Sequence, residues 1–166
     1  MFSDAQLNGL YRYGISLTND ETLAYDLLQD AIECYLKMDP ARRPVDGAGF
    51  YLRRVMRNRY IDQLRKEKRY PHESLEDGGD SLVSMAMPDP GELVIDRQMI
   101  ESILARLDPL ERELLHLWAY EEMTAREIAT QLDSPRGTIL SRIHRLKKKI
   151  ARFDLGGDGI REGAGT

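Results

Sequence analysis

TAREIATQLDSPRGTILSRIHRLKKKIARF, residues 124–153, decides how this chain folds and what it can touch. Thr124 followed three residues later by Glu127 is a capping box, in which each side chain satisfies an orphan backbone donor at a helix start. Ser134 offers a second N-cap, with Pro135 expected at the first helical position, where its missing N–H costs nothing. Ile139, Ile143, Leu146, Ile150 and Phe153 follow at steps of four, three, four and three, one apolar stripe turned toward a core. Around the stripe stand Arg136, Arg142, Arg145, Lys147, Lys148, Lys149 and Arg152, and no acid occurs between Asp133 and Asp154. A solvated surface helix normally interleaves acids with bases for i, i+4 pairing, and this one does not. Two short helices joined by a tight turn, the second uniformly basic on its outer side, suit a helix-turn-helix reader of the DNA major groove.

The rest of the chain does not look like a nucleic-acid binder until its charge is partitioned. The 166 residues carry a net charge of −4. Residues 42–69 hold ten bases against Asp46, Asp62 and Glu67, a local +7, and residues 136–152 hold seven bases and no acid, again +7. Everything else therefore carries −18. Two basic patches on an acidic body imply two local phosphate contacts, with the remainder repelling indiscriminate binding.

Working outward, helical periodicity dominates and no alternating strand pattern appears, so an all-α fold is expected. Ser3 with Gln6 can open a first helix carrying Leu7, Leu10, Tyr11 and Leu17. Asn19 or Asp20 caps a second, with Leu23, Leu27, Ala31 and Cys34, that stops before Asp39-Pro40. A long helix is expected from about Gly49 to Arg69, with Leu52, Val55, Met56, Tyr60 and Leu64 able to face a core. The texture then changes. Residues 71–95 contain Gly78-Gly79, Pro88, Pro90 and Gly91, many acids and no Lys or Arg, which reads as an acidic flexible linker. Helices follow from about Leu93 to Arg106 and, after an Asp108-Pro109 cap, to about Tyr120; beyond them come the two helices of the opening stretch. The expected organisation is a helical domain over 1–70, the linker over 71–95, a helix-turn-helix domain over 96–153 and a glycine-rich, disordered tail over 154–166.

Several function classes lose support here. A hydrophobic content of 42% provides packed cores but no run near the length of a membrane span, so no membrane insertion is expected. The opening MFSDAQLNGLYRYG lacks the basic-then-apolar pattern of a secretory signal, which points to the cytoplasm. Cys34 is the sole cysteine and reads as a small apolar helix residue; His72, His116 and His144 are scattered, giving a metal site no support. No nucleophile–base pairing or glycine-rich phosphate loop argues for an enzyme or a cofactor. Asp26 and Asp30 form the nearest carboxylate pair, with no further acid or base converging on them.

At this point the residues resemble a family. LARLDPLERELLHLWAYEEMTAREIATQLDSPRGTILSRIHRLKKKI (104–150) is similar to the promoter-reading C-terminal domain of bacterial sigma factors, above all the extracytoplasmic-function (ECF) group of the sigma-70 family. The matching pattern is Glu127-Ile128-Ala129, a turn, then Pro135, Gly137, Thr138, Ile139, Ser141 and Arg142. AYDLLQDAIE (24–33) resembles the acidic helix by which that group docks on RNA polymerase, and YLRRVMRNRYIDQLRKEKR (51–69) its promoter-melting helix. Two motifs in the right order are far more specific than either alone.

The resemblance implies a promoter-specificity subunit, not a catalyst, with core RNA polymerase and promoter DNA as partners and no cofactor. It implies that Asp26, Leu27, Gln29 and Asp30 meet the polymerase; that Tyr51, Arg54, Arg57, Asn58 and Arg65 meet the downstream promoter element; and that Arg136, Thr138, Ser141, Arg142, Arg145 and Lys148 meet the upstream one. Tyr51, Tyr60 and the loop around Pro44 to Gly49 are candidates to cradle a base extruded from the non-template strand, although Tyr60 equally suits plain core packing. The acidic linker is expected either to thread the polymerase's RNA path or to act as a plain spacer. The family commonly adds an anti-sigma factor, which no residue here identifies. The competing expectation is a freestanding helix-turn-helix regulator that binds duplex DNA without polymerase.

Overall fold

The computed structural model describes residues 2–44, 46–67 and 97–153, with the backbone alone for 97–100. The expected linker over 71–95 and tail over 154–166 lie outside the described residues. The described residues are helical and contain no strand, and the chain divides into two compact units, Met1–Glu73 and Ser74–Thr166.

The first unit is a three-helix bundle in which each helix touches the other two. Helix α1, Asp4–Thr18, begins with the Ser3–Gln6 box: the Gln6 N–H donates to Ser3 Oγ at 3.2 Å and the Ser3 N–H to Gln6 Oε1 at 2.9 Å. Asn19, left-handed at φ 51°, ends α1, and Asp20 starts α2 (Glu21–Lys37) by accepting the Leu23 N–H at 2.9 Å. Of the two residues the sequence allowed as the cap of α2, Asp20 takes that place and Asn19 closes α1. Thr18 secures that turn, its hydroxyl donating to Gly14 O at 2.9 Å and accepting the Asp20 N–H at 3.1 Å. A 3₁₀ turn, Pro40–Arg42, leads to Gly47 at φ 89° and then to α3, Ala48–Lys66. Leu10, Tyr13 and Leu17 of α1, Ala24, Leu27, Leu28 and Ala31 of α2, and Leu52, Met56, Tyr60, Ile61 and Leu64 of α3 form the core. Gly14 lies where all three helices meet: a Cβ there would stand 3.1 Å from Ala24 Cβ and 2.9 Å from Met56 Cε. Its missing side chain is what lets α1 come so close.

The second unit starts with α4, Arg97–Arg106. Asp108 and Glu111 then form a second capping box, with Pro109 in the first turn of α5, Pro109–Leu115. The helix expected to continue to Tyr120 widens over His116–Tyr120 into a π turn, whose closing bond runs from the Glu121 N–H to His116 O at 2.9 Å. Leu117 and Trp118 of that turn are buried with Ile103, Leu107 and Leu114. Helix α6, Ala125–Gln131, opens with the expected Thr124–Glu127 box.

The turn into the last helix differs by one residue from expectation. Asp133 is left-handed at φ 51°, and the Ser134 N–H closes back on Ala129 O at 2.9 Å. The Ser134 hydroxyl is thereby spent on Leu132 O at 3.3 Å, inside the turn. Pro135, extended at ψ 145°, takes the N-cap position without a side-chain bond, and α7 runs Arg136–Ala151. Its stripe is as read, with Ile139, Ile143, Leu146 and Ile150 all buried; Leu140 joins them, fully buried. Phe153 closes the helix under the Arg106 guanidinium, 5.2 Å from the ring centroid.

Candidate nucleic-acid interface

Helix α7 turns its buried stripe inward because α6 and α5 pack on that side, and this sets the direction of its basic residues. Arg136, Arg145 and Lys148 are exposed, while Thr138 and Arg142 are half-buried. Ser141, expected at the reading surface, is only 3% exposed, and its hydroxyl finds no partner. A small side chain on a crowded helix is covered more readily than the long arginines beside it. Arg126 on α6 was missed. It borders an open hollow at the turn together with Thr130, Ser134, Pro135 and Arg136. Its signal was available: it is the one base of α6, the helix that precedes the reading helix, and it is exposed there.

Lys149 belongs to the scaffold. Its ammonium donates to Glu111 Oε1 at 2.7 Å, tying α7 to the N-terminus of α5. Burial raises the Asp108 carboxyl above its ordinary range, and the neighbouring Glu111 charge adds to this. Burial pushes Glu111 the same way, but the hydrogen bonds from Lys149 and Asp108 outweigh it and hold Glu111 below its ordinary value.

On α3 the candidate residues form one outer ridge and two flanks. Asn58 and Arg65 are exposed, and Arg54 lies over the Phe50 ring at 4.9 Å. Those three repeat at helical spacing along one side. Arg57 is half-buried on another side of the helix. Tyr51 is also half-buried, 6.1 Å from the Tyr35 ring. Tyr60, at 7% exposure, is a core residue, so of its two readings the structure supports packing.

The acidic helix α2 sorts its candidates by face. Asp26 and Gln29 are exposed. Asp30 is half-buried and receives Arg59 Nη1 at 3.3 Å, while Arg59 Nη2 reaches Cys34 Sγ at 2.9 Å. That arginine, on α3, forks across one turn of α2. Leu27, read as an apolar anchor for a partner, is 6% exposed and packs inside the bundle; three-helix packing claims it first. The apolar side chains that α2 does expose are Tyr25 and Leu36, at 55% and 41%. They stand four residues before and seven after Gln29, on the same face. Among the described residues, no three His, Cys, Asp or Glu gather as metal ligands would.

Comparison with known proteins matches these surfaces to regions of one family. Residues 4–70 match sigma-70 region 2 and residues 97–150 match sigma-70 region 4. The chain is 33% identical over 157 residues to the RNA polymerase sigma-E factor of Streptomyces avermitilis, covering 89% of this chain and 82% of that one. It is 31% identical over 134 residues to the ECF RNA polymerase sigma factor RpoE of Cereibacter sphaeroides, covering 81% and 71%. With the ECF RNA polymerase sigma factor SigM of Bacillus subtilis it shares 27% identity over 145 residues, 87% of each chain. The fold is similar to that of the sigma factor RpoE in its co-crystal structure with the anti-sigma factor NepR from Bartonella quintana. The TM-score is 0.62 at 24% identity, over 88% of this chain and 89% of that one. Both helical units match family regions, in the order the two motifs require, and the chain belongs to the ECF group of the sigma-70 family of RNA polymerase sigma factors.

Proposed function

We propose that the sigma function of this chain, directing core RNA polymerase to promoters and starting transcription there, is divided among three surfaces. The outer face of α2 docks on the polymerase through Asp26, Gln29 and Asp30, with Tyr25 supplying the apolar contact first expected of Leu27. A polar-rimmed face with an aromatic anchor suits a basic helical partner. The α3 ridge of Arg54, Asn58 and Arg65, with Tyr51 and the preceding loop, meets the downstream element as it opens. Stacking an unpaired base on an aromatic side chain contributes about 1–3 kcal/mol, enough to offset part of the unstacking cost. Helix α7 reads the upstream element: Arg136, Arg142 and Arg145 can each hold a guanine bidentately, for about 1–3 kcal/mol of discrimination, and Lys148 holds phosphate. Thr138 sets the approach at the start of the helix, and Ser141 contributes only if binding uncovers it.

The observation that carries this reading is charge segregation: α7 with its C-cap Arg152 has seven bases over 136–152 and no acid, and the helix buries its apolar side. On this reading the chain acts as a specificity subunit and performs no chemistry of its own. Among the described residues no helix is long and apolar enough to cross a membrane. We place the protein in the cytoplasm, where its two partners are. An anti-sigma factor would have to cover the α7 and α3 surfaces to silence it. The segment over 71–95 serves as the connection between the two functional domains.

The test separates a polymerase subunit from a freestanding regulator. Promoter affinity is measured by gel shift for the chain alone and for the chain with core polymerase. Weak binding alone and tight, specific binding with polymerase is the expected result. Tight binding by the chain alone, unchanged by polymerase, would establish the regulator instead.

A further inference from the structure

The loop between α2 and α3 is held from beneath by one side chain that the functional reading does not use. Tyr35, on the last turn of α2, donates its hydroxyl to Pro44 O at 3.2 Å. Its ring meets Phe2 edge-on at 5.2 Å and lies 6.1 Å from Tyr51, the aromatic at the start of α3. Above the ring lies the Arg43 guanidinium, 5.7 Å from its centroid. That guanidinium also donates to Leu36 O and, at 3.2 Å, to Met38 O. Arg43 thus caps the end of α2 with the charge a helix C-terminus favours, and is spent inside the protein although it counts toward the basic patch. Two residues thereby tie the loop to the helix end, and the same ring borders Tyr51.

We propose that Tyr35 is a positioning residue for promoter opening: it holds the loop and Tyr51 in the shape that receives an unpaired non-template base, without touching DNA itself. This rests on the reading above that the loop and Tyr51 take such a base. A site for one base must be preformed, because ordering a loop at the moment of capture would cancel the weak gain of a single stack. Fixing the loop by its own backbone carbonyl, through a rigid phenol, does this without placing another group at the mouth. Arg42, exposed at the same turn, and Arg54 over Phe50 remain to meet phosphate.

The experiment uses the full chain with core polymerase. Two DNA probes are compared, a fully paired promoter and a fork with unpaired non-template bases across the downstream element. A set of forks, each lacking one base, locates the captured position. For wild type, one abasic position weakens fork binding. Tyr35→Phe, which keeps the ring and deletes the hydroxyl, is expected to lower fork affinity about two- to tenfold, the worth of one net hydrogen bond. Affinities for core polymerase and for the paired probe stay unchanged. Tyr35→Leu, which also loses the ring contacts, is expected to abolish the difference between intact and abasic forks. Tyr35 variants that bind every fork like wild type would overturn the proposal. So would variants that lose polymerase, paired and forked binding together, since that marks a general folding role. If no abasic position weakens wild type, the base-capture reading itself falls, and this proposal with it.

Discussion

At the scale of single residues, burial separates side chains that the sequence motif treats alike. Leu27 and Gln29 lie in the same acidic motif, yet Leu27 is 6% exposed and Gln29 is at the surface. Leu27→Ala should therefore cost about 2–5 kcal/mol of stability, measured by urea unfolding, through a cavity in the bundle. Gln29→Ala should leave the unfolding midpoint in place and weaken core polymerase binding about two- to tenfold in a titration. A second pair separates reading from holding on α7. Arg142→Ala should broaden base preference at one upstream position in a promoter library, and Lys148→Ala should lower affinity for all sequences alike and flatten its salt dependence. Identical library profiles for wild type and Arg142→Ala would remove that arginine from the readers. The exposure of Arg136 and Arg145 was legible because long charged side chains reach solvent from most helix positions. The burial of Ser141 was not legible for the opposite reason: its exposure depends on what covers a short side chain, which no spacing rule records.

At the scale of elements, caps were the most reliable signal. Ser3–Gln6, Asp108–Glu111 and Thr124–Glu127 all form reciprocal boxes, because both partners lie within three residues of each other. Where a helix start depends on the preceding turn, local signals misjudged it by one residue, as at Ser134 and Pro135. The π turn at His116–Tyr120 left no mark in the periodicity, which differs little between helix types over five residues. The Lys149–Glu111 bond was illegible for a different reason: it spans 38 residues, and only the packing of α5 on α7 creates it. Lys149→Met should destabilise the second unit by about 0.5–1 kcal/mol at pH 7, since the pair is partly solvated. Glu111 is held below its ordinary value, so its contribution is present above the carboxylate range and lost as pH falls through its folded value. The stability difference between wild type and Lys149→Met should accordingly shrink as pH falls through the ordinary carboxylate range and close below the folded value of Glu111. Trp118, the only tryptophan and 1% exposed, reports this unit's unfolding by fluorescence in the intact chain. A difference that persisted at low pH would assign Lys149 a packing role instead.

At the scale of the whole molecule, the all-helical class followed from patterns that each need only neighbouring residues: apolar stripes and caps. The net charge concealed the function, because an acidic total hid two segments of +7. Partition by element recovers it, and the structure supplies the reason it works: α3 and α7 each bury their apolar side and turn their bases outward. Packing then decides which residues of a functional motif remain at the surface. The central claim is that these surfaces make the chain a promoter-specificity subunit, and mapping of transcript starts tests it most directly. Core polymerase is incubated with a pool of genomic promoters, with and without the chain, and run-off products are sequenced. New start sites that share two short upstream elements at one fixed separation are predicted with the wild-type chain, and their loss with Arg136→Glu/Arg145→Glu. Start sites that are the same with and without the chain would contradict the account.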